Sequence, residues 1–163
     1  MATPTTSQPF VDHPADVASE QAREDLANLR AAYAALNDGN LGPITALLDR
    51  QVHLRGPEHG HLWWKSHRTW NGPADVEAAL APQRSSSDTP RRQIHAGEPT
   101  RINGRFMVEC HLIPPDDTSD TTRDEHGRDG AFYEVVTIRD GKIVRFADYR
   151  SRTIARGAAT ANY

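Results

Sequence analysis

The stretch AFYEVVTIRDGKIVRFADYRSR, Ala131–Arg152, decides how this 163-residue chain folds. Two runs rich in Val, Ile, Phe and Tyr flank Asp140-Gly141, and an Asp-Gly pair between such runs is a strong hairpin signal. The strands run over Ala131–Arg139 and Lys142–Arg150. A two-residue turn fixes their register. Counted from the turn, Ile138 faces Ile143, Val136 faces Arg145, Glu134 faces Ala147 and Phe132 faces Tyr149 on one side. Val135 faces Phe146 and Tyr133 faces Asp148 on the other. The first strand is largely apolar on both sides, so both need cover: helices or a pocket on one, a second sheet or subunit on the other.

Working upstream, Asn103-Gly104 marks a second tight turn, between strands at Gln93–Glu98 and Arg105–Ile113. Pro114-Pro115 closes the latter, and Asp116–Gly130 is an acidic, solvated loop. Gln51–Arg55 alternates, with Val52 and Leu54 on one face and His53 and Arg55 on the other, as a half-buried strand does. Glu58–Gly72 is rich in His and Trp without a period and reads as a loop with a short strand near Leu62–Lys65. Pro73–Ala81 is a short helix with Val76 and Leu80 inward, and Pro82–Pro90 is a Ser-rich linker. In Val17–Leu36 the residues Ala22, Leu26, Leu29, Tyr33 and Leu36 recur at helical spacing, and Gly39 supplies the stop. A second helix has Pro43 in its first turn and buries Leu41, Ile44, Leu47 and Leu48. Residues 1–15 read as a flexible tail, 16–156 as one domain and 157–163 as a C-terminal tail. Helices first and antiparallel strands after them give an α+β fold, with the helices on one face of a curved sheet.

Composition narrows the functional classes. The net charge of −3 excludes a strongly basic nucleic-acid binder, so no nucleic-acid partner is expected. The charge is unevenly spread: residues 1–49 carry −5, residues 116–129 carry −4 and residues 139–156 carry +4. The single Cys110 excludes an internal disulfide framework and multi-cysteine metal sites. No run has the length of a membrane span, and the first residues lack the pattern of a secretion signal, so the expected location is cytoplasmic with no membrane partner.

Three separated segments carry a resemblance. LRAAYAALNDGNLGPITALLDRQVHLRGP (Leu29–Pro57), WNGPADVEAALA (Trp70–Ala81) and YEVVTIRDGKIVRFADYRSR (Tyr133–Arg152) resemble, in order and spacing, the nuclear transport factor 2-like superfamily. The look is of its SnoaL-like branch, with polyketide cyclases and ketosteroid isomerase as relatives. The resemblance implies a cone, in which a bent antiparallel sheet wraps the helices around a pocket, and a homodimer formed through the outer sheet face. It also places the isomerase's general base at Gly56 and its oxyanion-hole Tyr at Ala32, with Tyr33 one residue later and turned about 100° around the helix. The isomerase's protonated Asp falls at Glu134.

Glu134 interrupts an apolar strand, and a carboxyl buried there with a raised pKa serves as general acid or base near neutral pH. Counted from the turn, Arg145 and Tyr149 share its face, as a diagonal partner set or as a structural Glu–Arg pair. His111, on a face with Glu109, is either a proton shuttle for Glu134 or an exposed outer residue. Cys110 reads as an inert core thiol. Asp148 lines the pocket mouth or pairs with Arg150 or Arg152, and Tyr33 is core with a hydroxyl that reaches the pocket. Leu54 with Trp63, Trp64 and Trp70 offers apolar surface to a flat ligand. His59, His61 and His67 form a spaced set that metal proteins use, though Lys65 stands where a ligating Glu would be expected, so no metal site is assigned. The expectation is a cofactor-independent acid–base enzyme of isomerase, cyclase, dehydratase or epoxide-hydrolase type acting on a small apolar molecule. Glu134, His111 and Tyr149 are its catalytic candidates, and Tyr33, Leu54, Trp63, Trp64, Trp70, Arg145 and Asp148 its binding ones. A non-catalytic small-molecule-binding or dimerisation module and a His-loop metal protein are the alternatives.

Overall fold

Both tight turns form in the computed structural model of the chain, which describes residues 14–56, 69–80, 93–113 and 131–161. Asn103 and Gly104 have φ of 46° and 81°, and Asp140 and Gly141 have φ of 50° and 72°. Positive φ at both central residues is the turn geometry that matches strand twist, which is why Asn-Gly and Asp-Gly stand there.

The elements in chain order are α1 (Pro14–Asn37), α2 (Gly42–Leu47), β1 (Leu48–Arg55), β2 (Thr69–Asn71), α3 (Pro73–Leu80), β3 (Gln93–Ala96), β4 (Thr100–Ile102), β5 (Arg105–Ile113), β6 (Ala131–Arg139), β7 (Lys142–Tyr149) and α4 (Arg152–Thr160). Among the described residues, seven strands form one sheet in the order β2-β1-β7-β6-β5-β3, with β4 also on β5. All pairings are antiparallel except β1 with β7. A parallel pair needs a long crossover, and everything between Arg55 and Lys142 supplies it. The result is the expected α+β cone.

Helices and sheet share one core. Leu29, Ala32, Tyr33 and Leu36 of α1, Ile44 of α2 and Val76, Ala79 and Leu80 of α3 pack on Val52, Leu54, Phe106, Val108, Cys110, Phe132, Val136, Ile143 and Phe146. α1 stops as expected: Gly39 takes φ of 79°, its N–H reaches Leu36 O, and Asn40 N–H reaches Ala35 O. The last helical residue then ties α1 to the sheet. Asn37 Nδ2 donates to Ala96 O at 2.9 Å and its Oδ1 accepts from Ala96 N at 2.7 Å, so one side-chain amide mimics a strand partner.

The opposite sheet face is covered from within the chain. Ala155 and Ala159 of α4 pack on Met107 and Val135, with Ile102, Tyr133 and Tyr149 around them. Ser151 caps this helix through its hydroxyl, which accepts from Ile154 N. Residues 157–160, expected as tail, therefore belong to a helix that supplies the second cover the sheet required. The short strand expected at Leu62–Lys65 and the acidic loop 116–130 lie outside the described residues, as do residues 1–13 of the N-terminal tail; the tail's last two positions belong to α1.

The hairpin register differs from the count made from its turn. Arg139 pairs with Lys142 and Ile138 with Ile143, but Thr137 then pairs with Arg145, which leaves Val144 as an extra residue. A regular ladder would carry Ile143 and Arg145 on the same, inward face. The bulge turns Arg145 out to solvent and brings Phe146 in. Every residue of β7 beyond it changes face.

Candidate functional site

The bulge assembles the site. With the register shifted by one, Glu134 lies opposite Asp148 instead of Ala147. Both point to the core side, where Glu134 is 4% exposed and Asp148 5%. They are the buried acidic side chains among the described residues. From α1, the Tyr33 hydroxyl donates to Glu134 Oε1. Asp148 is hydrogen-bonded to Glu134 as well, while its Oδ1 has no partner among the described residues. The contact to Glu134 therefore runs through Oδ2, giving a chain Tyr33–Glu134–Asp148.

Electrostatics order the protons in this chain. Burial pushes the Glu134 carboxyl above its ordinary 4.5, and the hydrogen bonds from Tyr33 and Asp148 hold it back. Burial pushes Asp148 well above 3.8, and the charge of Glu134 and the shared hydrogen bond push it further. Two adjacent carboxyls in an apolar setting do not both ionise. Asp148 keeps the shared proton and donates it, and Glu134 is the acceptor. Tyr33 is driven well above 10.0 by burial first and by Glu134 second, so it remains a phenol and a donor. Cys110, also on this face, is raised well above 9.0 by burial and then by Glu134 and Asp148, so it remains a thiol and is not an activated nucleophile.

The shifts have a consequence for stability. A carboxyl whose folded value is raised contributes stability that is full below its unfolded value and is lost as pH rises through the folded one. For Asp148 that loss begins above about 3.8. The thermal midpoint of the wild type relative to Asp148→Asn should therefore fall as pH increases from 4 towards neutrality. A pH-independent difference between the two melting curves would contradict the assignment.

The other expected site residues are distributed over both faces. Leu54 is fully buried on the core side, paired with half-buried Trp70. Arg145 is exposed, and Tyr149 sits opposite Tyr133 beneath α4. Neither shares a face with Glu134; the bulge at Val144 is the reason. His111 is also on the outer face, half exposed, with its Nε2 3.3 Å from Glu109 Oε1, so it does not reach Glu134. His53 is outside too, bonded through Nδ1 to Asn71 Oδ1 at 2.6 Å. Trp63, Trp64, His59, His61 and His67 lie outside the described residues. Among the described residues no set of His, Cys, Asp and Glu is arranged to hold a metal ion.

Tyr33 and Asp148 gain most from the structure. Ala32 and Tyr33 are both buried, so the extra 100° of helix rotation turns Tyr33 toward Glu134 and not away from it. Arg55 pairs with Ala147, so the next residue, Gly56, just past the end of β1, follows toward Asp148 on β7. A carboxyl from the neighbouring strand thus stands next to the position that the resemblance left as glycine. Tyr33 also borders a cavity of about 270 Å³ between α1 and the β3–β4 connection, with Asn37, Ala96 and Pro99 in its wall. Arg30 and Glu98 at this cavity form an ion pair at 2.7 Å.

Comparison with solved structures agrees with this architecture. A candidate ketosteroid isomerase from Kribbella flavida DSM 17836 superposes with a TM-score of 0.52 at 16% identity, over 80% of this chain and 79% of its own. TerC, co-crystallised with polyporic acid, gives 0.52 at 19% identity, over 83% and 96%. An NTF-2 like protein of unknown function from Burkholderia xenovorans LB400 gives 0.51 at 15% identity, over 83% and 86%. No sequence profile of a known protein family and no curated protein matches the chain. The chain has the nuclear transport factor 2-like fold.

Proposed function

We propose that this chain is an acid–base enzyme that works without a cofactor on a small, largely apolar molecule and moves a proton through the Glu134–Asp148 pair. The observation that carries this reading is the buried chain of phenol and two carboxyls on an otherwise apolar sheet face. Stability alone gives no reason for it. Burying polar groups is costly, and an apolar cross-strand pair in the same place would cost less. Carboxyls whose environments separate their proton affinities are what acid–base catalysis near neutral pH requires. Isomerisation, cyclisation, dehydration and epoxide opening all fall within that chemistry. The names of two structural neighbours, an isomerase candidate and a protein holding polyporic acid, favour a small ring-containing substrate.

A panel of small cyclic enones, alcohols and epoxides tests the reading. An enzyme gives product; a binding module retains a panel member and returns it unchanged, which would refute catalysis. Tyr33→Phe adds a sharper check. Losing the hydroxyl that holds the Glu134 pKa down raises that pKa. The limb of the pH–rate profile on which Glu134 must be ionised then moves to higher pH. An unmoved limb would remove Tyr33 from the proton chain.

A further inference from the structure

Resting on that reading of the pair, we infer that Asp148 is the residue that meets the substrate, through Oδ1, and that the group it meets is a hydroxyl whose proton it relays to Glu134. Hydrogen-bond bookkeeping leads there. Tyr33 spends its only donor on Glu134 Oε1. Asp148 spends its only donor, on Oδ2, on Glu134 as well. What remains on this buried carboxyl is Oδ1, a carbonyl-type oxygen that accepts and has no partner among the described residues. A buried acceptor left unmet is costly, so a ligand that supplies a donor gains by meeting it.

The same count decides what the ligand brings. An oxyanion finds no donor at Oδ1 and meets the negative charge of Glu134 behind it. An ammonium brings three N–H donors to one free acceptor in a face formed by residues such as Leu54, Phe132, Val136 and Phe146. A hydroxyl brings one donor to one acceptor. The site is thus an acceptor site, opposite in polarity to an oxyanion hole.

The proton step balances without another reactant. The ligand O–H bond breaks as its proton passes to Asp148 Oδ1. The Oδ2–H bond breaks as its proton passes to a Glu134 carboxylate oxygen. The two C–O bonds of Asp148 exchange single and double character, and Asp148 stays neutral throughout. The negative charge moves from Glu134 to the ligand oxygen. Glu134 is the base, and Asp148 extends its reach by one carboxyl.

4-Nitrophenol tests this, because its hydroxyl ionises near neutral pH with a change of absorption. The expected result at slightly alkaline pH is saturable binding by the wild type, followed by that change of absorption. Asp148→Asn keeps an acceptor at Oδ1 and a donor, through Nδ2, toward Glu134. It should bind within about threefold of the wild type, and Asp148→Ala should bind about tenfold more weakly. Asp148→Asn has no proton to relay, so its turnover on any panel substrate should fall at least about 100-fold. Equal binding by Asp148→Ala, no saturable binding by the wild type, or full turnover by Asp148→Asn would each overturn the inference. The probe readout needs no turnover, which keeps the two proposals separable. Neutral phenol bound by a protein that turns over nothing refutes the enzyme alone. Turnover by a protein whose Asp148→Ala variant binds the phenol as tightly as the wild type refutes the acceptor site alone.

Discussion

Glu134→Gln is expected to lower turnover at least about 100-fold, the effect of losing a positioned general base, with the fold intact. Glutamine keeps the length and shape of the side chain. Its Oε1 still accepts from Tyr33, and its Nε2 donates toward Asp148, which sits across the strand pair. What is lost is the ability to take up a proton. Asp148, freed from the adjacent charge and given a donor, ionises more readily and recovers part of the base function directly. The loss therefore lies nearer the low end of the range for a general base, and the residual activity rises on the limb where Asp148 ionises. Circular dichroism that matches the wild type, together with steady-state rates across pH, checks both halves. Wild-type turnover in this variant would take Glu134 out of the chemistry.

Phe146→Ala carries the largest expected loss of stability, about 3–5 kcal/mol, because it removes a fully buried ring from the core. Phe146 has 0% exposure and is the largest of the fully buried side chains among the described residues. It stands two residues from Asp148 on β7, between Leu54 of β1 and Val136 of β6. A cavity there loosens the strand that carries Asp148, so activity falls along with stability. Ile154→Ala is the matching control. At 62% exposure Ile154 is a large apolar side chain already in water, and its loss should stay within about 0.5 kcal/mol. Urea unfolding curves for both variants measure the contrast. Equal losses would mean that the ring contributes little to the core.

The fold was legible because each turn and helix stop had its own chemistry. Asp140-Gly141 and Asn103-Gly104 announce two hairpins, the α1 stripe runs through Leu29, Tyr33 and Leu36, and Gly39 ends the helix. Glu134 was legible too, as an acid in an apolar strand. Its partners were not, because a register counted from a turn assumes a regular ladder, and one extra residue reverses every face beyond it. The sign of trouble stood in β7 itself. Ile143 and Phe146, three apart, both want the core, and a strict alternation puts Arg145 inside with Ile143. α4 is not legible in the sequence for another reason. Its buried face is made of Ala155 and Ala159, small residues that raise no apolar signal in a stretch with Arg152 and Arg156.

The Asn37 amide has a further consequence, for association between molecules. β3 is the last strand in the order of this sheet, and a terminal strand offers its outward backbone groups to any extended chain nearby. In Ala96 those groups are already taken, by both ends of one amide anchored on a helix. A strand from a second molecule cannot zip past that point without breaking two hydrogen bonds that are made at no entropic cost of encounter. The residue that fastens helix to sheet thereby also helps keep the sheet from growing into its neighbours.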